Sequence, residues 1–208
     1  MEKILVANPK GGVGKSTLAT NLAGWLAKSG KRTMLGDTDR QQSSRAWLSL
    51  RSPALPYITA WDIQPGKPAR PPKETTHVVL DSPAGLHGKR LEQLLRMANR
   101  IIVPLQPSLF DIFATRVFID ELLATKQYRK EAVRIAVVGM RVDARTRSSG
   151  ELERFLEDTG LPVVAHLRDT QNYVQAAAHG MSIFDLPAAQ GAHDWEQWAP
   201  LLRWVDPV

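Results

Sequence analysis

The chain has no cysteine among its 208 residues. That excludes a disulfide framework, a thiolate-held metal and an iron–sulfur cluster. Long apolar runs are missing too. None approaches the roughly 20 residues needed to cross a bilayer, and Ile4 to Ala7 is too short for the core of a secretory signal. The protein is therefore expected to stay in the cytoplasm. No internal repeat is visible. What is present suits one globular domain: 43% hydrophobic and 23% charged residues, enough for an ample core, so residues 1–208 read as a single domain. A formal net charge of +6 points to an anionic partner surface, nucleic acid or acidic lipid, without choosing between them.

Short apolar runs recur at Ile4 to Val6, Met34 to Leu35, Val78 to Leu80, Ile101 to Val103, Ile135 to Val138 and Val163 to Val164, most with a helical stretch between them. That alternation predicts an α/β fold, a mainly parallel sheet covered by helices on both faces. Right-handed crossovers then bring every loop that follows a strand to one edge, where open α/β sheets bind ligands. The segment from Asp62 to Thr76, with Pro65, Pro68, Pro71 and Pro72 among Lys67, Arg70 and Lys73, reads as an irregular surface connection.

The densest chemistry lies in Pro9, Lys10, Gly11, Gly12, Val13, Gly14, Lys15, Ser16 and Thr17. An apolar strand precedes it. Behind it, Leu18, Leu22, Trp25 and Leu26 predict an amphipathic helix from Lys15 to about Lys28, ended by Gly30. Glycines between strand and helix let backbone N–H groups face an anion, the helix N-terminus adds its positive end, and Lys15 neutralises β and γ phosphates. Ser16 is placed to ligate Mg²⁺. The pattern GxxxxGK[ST] would need glycine at position 9, where Pro9 stands, so Gly11 and Gly12 must supply the turn. Lys10 is a second ammonium on the same loop, more positive charge than holding one triphosphate requires.

Asp37 and Asp39 follow the second apolar run. On an extended chain they would share one face roughly 6 to 7 Å apart, one serving the metal and the other the attacking water, or else would cap a helix or turn. Val78, Val79 and Leu80 lead into Asp81, the arrangement that holds magnesium through water in phosphoryl-transfer sites. The competing reading of Asp81 is a cap on a helix near Leu86.

The string from Lys10 to Thr17 resembles the deviant Walker A motif of the ParA/MinD family of partitioning and positioning ATPases, and most closely the small ParA proteins without an N-terminal DNA-reading domain (ParF-like). The absence of cysteine sets aside the iron-protein relatives. The resemblance implies a P-loop ATPase using ATP and Mg²⁺, with Lys10 through Thr17 around the nucleotide. Lys10 would reach across a sandwich homodimer to the partner's phosphates. Asp37 to Gln41 is similar to the family's DxDPQ motif, with Arg40 at the proline. This gives Asp39 the hydrolytic role and leaves Asp37, with Ser16 and Asp81, to the metal. Pro83 to Gly85 corresponds to the second switch. Val138 to Asp143 matches a loop lining the adenine pocket, with Met140 at the family's asparagine and Arg141 after it. ATP over GTP rests on the resemblance alone.

In the same family, basic surface residues bind DNA without sequence preference. The candidates are Arg141, Arg145, Arg147 and Arg168, the alternative being a solvated face paired with Glu151 and Glu153. A ParB-like or cargo-adaptor protein would stimulate an otherwise slow hydrolysis, and the ATP state would be associated with the nucleoid. Pro104 to Ser108 resembles the family's segment after its next strand. Ser108 and Asp111 have capping-box-like spacing, and Phe110, Phe113 and Val117 read as core or dimer contacts. In the tail, Trp195, Trp198, Leu202 and Val205 fall on one helical face. MinD relatives end in a lipid-binding helix, but with only Arg203 basic after Ala192 the segment matches an anionic bilayer poorly and is expected to dock on the core. The competing functions are a MinD-like membrane ATPase and a dethiobiotin-synthetase-like ligase.

Overall fold

The computed structural model describes residues 1–62, 71–143 and 147–207. Seven strands form one parallel sheet: β1 (Glu2–Val6), β2 (Thr33–Asp37), β3 (Ile58–Trp61), β4 (His77–Asp81), β5 (Arg100–Leu105), β6 (Arg134–Met140) and β7 (Val163–Leu167). Their order across the sheet is β3-β2-β4-β1-β5-β6-β7. The central strand β1 pairs with β4, Val6 opposite Asp81, and with β5, Val6 opposite Ile102. Ile4, Leu5 and Val6 are fully buried, as expected of a parallel strand covered on both faces.

One face carries α1 (Lys15–Lys28), α2 (Ser43–Leu50), α7 (Gln171–Ala177) and α8 (Ala188–Val205), which share a core with Ile4, Val6, Leu35, Val79 and Ile102. The other carries α3 (Gly88–Leu95), α4 (Leu109–Ala124) and α6 (Arg147–Thr159), packed on Leu5, Leu80, Ile101 and Val103. A four-residue α5 (Lys126–Arg129) follows α4. Helix α1 has the expected bounds. Its last backbone carbonyls are taken by Ser29 and Gly30, and Gly30 turns the chain at φ +79°, a conformation open to glycine without strain.

Three local outcomes differ from the sequence expectation. Strand β3 is additional. It is four residues long, buries only Ile58 and Trp61, and follows Pro53 and Pro56, so no alternating pattern announces it. Second, of the two readings of Phe110, Phe113 and Val117, core or dimer contacts, the core one is excluded: they stand 77%, 58% and 66% exposed on α4. Third, β2 ends at Asp37, so Asp37 and Asp39 do not share an extended face. In the tail, Trp198, Leu201 and Val205 are fully buried against the sheet, so α8 is docked. Of the proline-rich connection, residues 63–70 lie outside the described residues.

Candidate functional site

The first loop is rooted by Asn8, which is fully buried at the end of β1. Its amide donates to the Pro104 carbonyl at 2.8 Å and to the Thr115 hydroxyl at 2.9 Å, and its Oδ1 accepts from the Lys10 N–H. Gly12 and Gly14 take φ values of +77° and +93°, the left-handed conformations that turn successive N–H groups toward one concavity. A Cβ on Gly14 would also meet Met140 Cε at 2.8 Å. Gln106 Nε2 donates to the Gly12 carbonyl, and the Pro9 carbonyl accepts from the Gly85 N–H at 2.7 Å.

Lys15 opens α1 nearly buried, and its ammonium donates to the Lys10 carbonyl at 2.7 Å. Burial holds its pKa below the ordinary lysine value, while Asp81 and Asp39 act in the opposite direction. Lys10 points elsewhere. Its Nζ lies 3.2 Å from Asp111 on α4, with the side chain 41% exposed.

The carboxylates gather around Lys15 at the C-terminal edge of β2 and β4. Asp37 accepts from three backbone N–H groups: Asp39 at one oxygen, and Ser44 and Arg45, at 2.9 and 3.2 Å, at the other. It thus caps α2, the alternative that the sequence left open. Asp39 closes its own turn by accepting from the Gln41 N–H. Asp81 caps no helix: α3 starts at Gly88 after His87. The Asp81 carboxyl is buried, its Oδ2 accepts from the Ser44 hydroxyl at 2.7 Å, and burial pushes its pKa up to about 6 against hydrogen bonds from Ser44 and Ser16. Thr38 donates its N–H and hydroxyl to the Asp81 carbonyl, and Arg90 of α3 donates to the Thr38 carbonyl. The connections that follow β2 and β4 therefore meet at Asp81.

On the β6 and β7 side of the loop, a cleft of about 230 Å³ is lined by Val13, Gly14, Thr17, Met140, Arg141 and Arg168, continuing to Tyr173 and Val174. Arg141 sits at φ +53°, an uncommon conformation for a side-chain-bearing residue.

Residues 4–183 match the model of the family described as the CobQ/CobB/MinD/ParA nucleotide binding domain. The chain belongs to this ParA/MinD family. It is 30% identical over 184 residues to the maintenance of carboxysome distribution protein A of Gloeobacter kilaueensis, covering 86% of this chain and 82% of that protein. Among solved structures it resembles an ATP complex of a Cyanothece McdA variant (TM-score 0.72, 13% identity, 99% and 96% of the two chains). It also resembles the Pyrococcus horikoshii septum site-determining protein MinD with Mg-ADP (TM-score 0.70, 15% identity, 99% and 96%). At those identities the likeness is one of fold, the ParA/MinD ATPase fold.

The ParA/MinD loop fits a magnesium nucleotide on its own geometry. Gly11 and Gly12 have open space where a Cβ would stand, leaving the backbone accessible to phosphate oxygens. Asp81 Oδ1 is buried and without a hydrogen-bond partner among the described residues, a costly state unless a donor or cation arrives. No group of three or more His, Cys, Asp or Glu among the described residues could hold a metal alone, in keeping with Mg²⁺, which is usually held by one or two carboxylates, phosphates and water. The residues that would hold it are Ser16 and Asp81; Asp37, also expected at the metal, has both oxygens engaged by the backbone N–H groups of Asp39, Ser44 and Arg45.

The structure thus brings together Gly11 through Thr17, Asp37, Asp39 and Asp81, with Arg141 on the adjoining cleft. Arg168 also reaches the cleft, but its guanidinium is hydrogen-bonded to Asp194 at 2.6 Å. Arg145 lies outside the described residues, and Arg147 is the first residue of α6. Sequence reasoning missed Asn8, Ser44 and Arg90 as parts of this site. Asn8 and Ser44 are buried polar residues whose partners lie 37 to 107 positions away, so no local pattern marks them. No helix among the described residues is long and apolar enough to cross a membrane.

Proposed function

We propose that this protein is an ATP-dependent positioning ATPase that dimerises around its nucleotides, binds DNA non-specifically in that state, and is released when a cargo-bound partner stimulates hydrolysis. The observation that carries this reading is Lys10. It is not folded onto its own phosphate site, where Lys15 already supplies the charge, but stands 41% exposed at the rim with Asp111 as its ion-pair partner. Beside it α4 presents Leu109, Phe110, Phe113 and Val117 to solvent, an apolar stripe of the kind that marks a contact surface. A second copy seated there would cover the stripe and offer its phosphates to Lys10 in place of Asp111.

Within each protomer, bound Mg²⁺ would neutralise charge developing on the transferring phosphoryl group. Lys15 and the N–H groups of Gly12 to Ser16 hold the phosphates, and Ser16 and Asp81 hold the cation. Asp39, on the loop joining β2 to α2, orients the attacking water. Asp37 fixes that loop through its three backbone hydrogen bonds. Arg40 lies on the loop after β2 and Arg90 donates to its Thr38 carbonyl, both side chains at the solvent side of the site. An arginine finger typically contributes about 10³ to 10⁵ in rate, so turnover without a stimulating partner is slow.

Two features weigh against the competing functions. A ligase acting on a small carboxylic substrate has no use for a second, outward lysine. A lipid-binding tail needs an apolar face to insert, whereas that of α8 is spent on the core. The relatives named for carboxysome distribution favour a protein assembly as cargo, and those named for chromosome partitioning a DNA one. Asp39→Ala is expected to retain ATP binding and accumulate as a dimer, measured by size-exclusion chromatography with light scattering in ATP and Mg²⁺. A variant that stays monomeric, or a wild-type enzyme that turns over fast without a partner, would overturn the reading.

A further inference from the structure

The C-terminal helix does more than cover the sheet. Asp194 on α8 is fully buried, and each of its oxygens is spent on a residue beside the cleft: Oδ1 accepts from Arg168 Nε at 2.6 Å and Oδ2 from Asn172 Nδ2 at 2.7 Å. Three more contacts from the same helix repeat the theme. Gln197 Oε1 accepts from the Arg168 backbone N–H at 2.9 Å, the Gln190 carbonyl accepts from Asn172 Nδ2 at 3.1 Å, and Trp198 donates its indole N–H to the Tyr173 hydroxyl at 2.8 Å.

Arg168 and Asn172 bracket Asp169 and Thr170, and Arg168, Asp169, Thr170 and Tyr173 form one wall of the cleft that opens beside Gly14. The connection between β7 and α7 is short, so two anchors fix everything between them. Burying a carboxylate costs several kcal/mol that its partners must offset, and an apolar side chain would often stabilise such a site as well or better. A charged group with two directed hydrogen bonds instead fixes one orientation of the loop it holds.

We propose that Asp194 is a positioning residue for the nucleotide base: through Arg168 and Asn172 it holds the Arg168 to Tyr173 wall against which the base is seated, so that docking of α8 and binding of the base are coupled. This rests on the nucleotide reading of the site given above. Because the phosphate loop runs from β1 to α1 and is held by contacts to β5, α4, Gln106 and Gly85, Asp194 has no part in holding it. The two halves of the ligand should therefore respond differently to loss of the carboxylate.

The test compares ATP with inorganic tripolyphosphate, each with Mg²⁺, by calorimetric titration of the full-length protein. Asp194→Asn keeps the shape and removes the charge. It is expected to weaken ATP about tenfold, the worth of a charged hydrogen bond, with tripolyphosphate affected less than about twofold. A merely structural role would lower both ligands together or neither. Gln197→Met, which removes the acceptor for the Arg168 N–H and leaves the buried ion pair in place, should move ATP in the same direction by less, and it carries the test if Asp194→Asn does not fold. Unchanged ATP affinity in a folded variant, or parallel loss of both ligands, overturns the role of Asp194. A wild-type protein that binds tripolyphosphate as tightly as ATP overturns the base-cleft reading itself, before any variant is made.

Discussion

The two ends of the site are built by opposite means. At the proposed phosphate end, nine consecutive residues from Pro9 to Thr17 would supply backbone, charge and metal ligand, and two glycines at positive φ give them their shape. At the proposed base end almost nothing is contiguous: Met140 ends β6 and Arg141 follows it, Arg168 to Tyr173 come from the connection into α7 and its first turn, and the hydrogen bonds that hold this last segment come from α8, 18 to 29 positions further on. Phosphates are alike in every nucleotide, and a backbone nest suits them. A base is read by side chains, whose positions depend on the packing of distant elements.

The largest break of this comparison comes from Lys15→Ala. It removes the buried ammonium beside Asp81 and Asp39 and should weaken ATP and tripolyphosphate alike by at least about 100-fold, measured by the same titrations. Equal loss for both ligands marks the phosphate end. Loss confined to ATP would mean that the two ends are not separable.

Next is the titration of Asp81, whose carboxyl burial raises from 3.8 to about 6. Its folded pKa lies above the unfolded one, so the protonated form favours the fold: the stabilisation is complete below about pH 4 and is lost as pH rises through about 6. Between pH 4 and 7, in magnesium-free buffer, this costs the wild type on the order of 3 kcal/mol relative to Asp81→Asn. Urea unfolding of both proteins across that range checks it, and parallel pH profiles would contradict the burial argument.

The smallest effects sharpen the role of the glycines. Gly12→Ala meets open space and should cost only the left-handed backbone conformation, about 1–2 kcal/mol. Gly14→Ala meets Met140 as well. Adding Met140→Ala should relieve the excess of the second over the first, read as a difference in melting temperature, and leave Gly12→Ala unchanged.

Legibility followed contiguity. The strand before the loop, α1 with its stop at Gly30, and the carboxylate at the end of β4 were all readable, because each is declared by neighbours in the chain. The spacing of Asp37 and Asp39 was readable but their geometry was not. An Asx turn at Asp37 competes with strand extension and wins, since it also satisfies the first N–H groups of α2. Phe110, Phe113 and Val117 have helical spacing, yet periodicity cannot tell a face turned to the sheet from one left to solvent. The capping of α4 by Ser108, with Asp111 donating its N–H, was visible. That Asp111 also holds Lys10 was not, because the partner lies 101 positions upstream.

The order of strands also bears on how the chain is made. Glu2 to Val6 is synthesised before both of its neighbours in the sheet, His77 to Asp81 and Arg100 to Ile102. At a ribosomal pace of roughly 5 to 20 residues per second the opening strand waits several seconds for either flank, with its row of Ile4, Leu5 and Val6 unshielded. The interval closes when β4 pairs beside it.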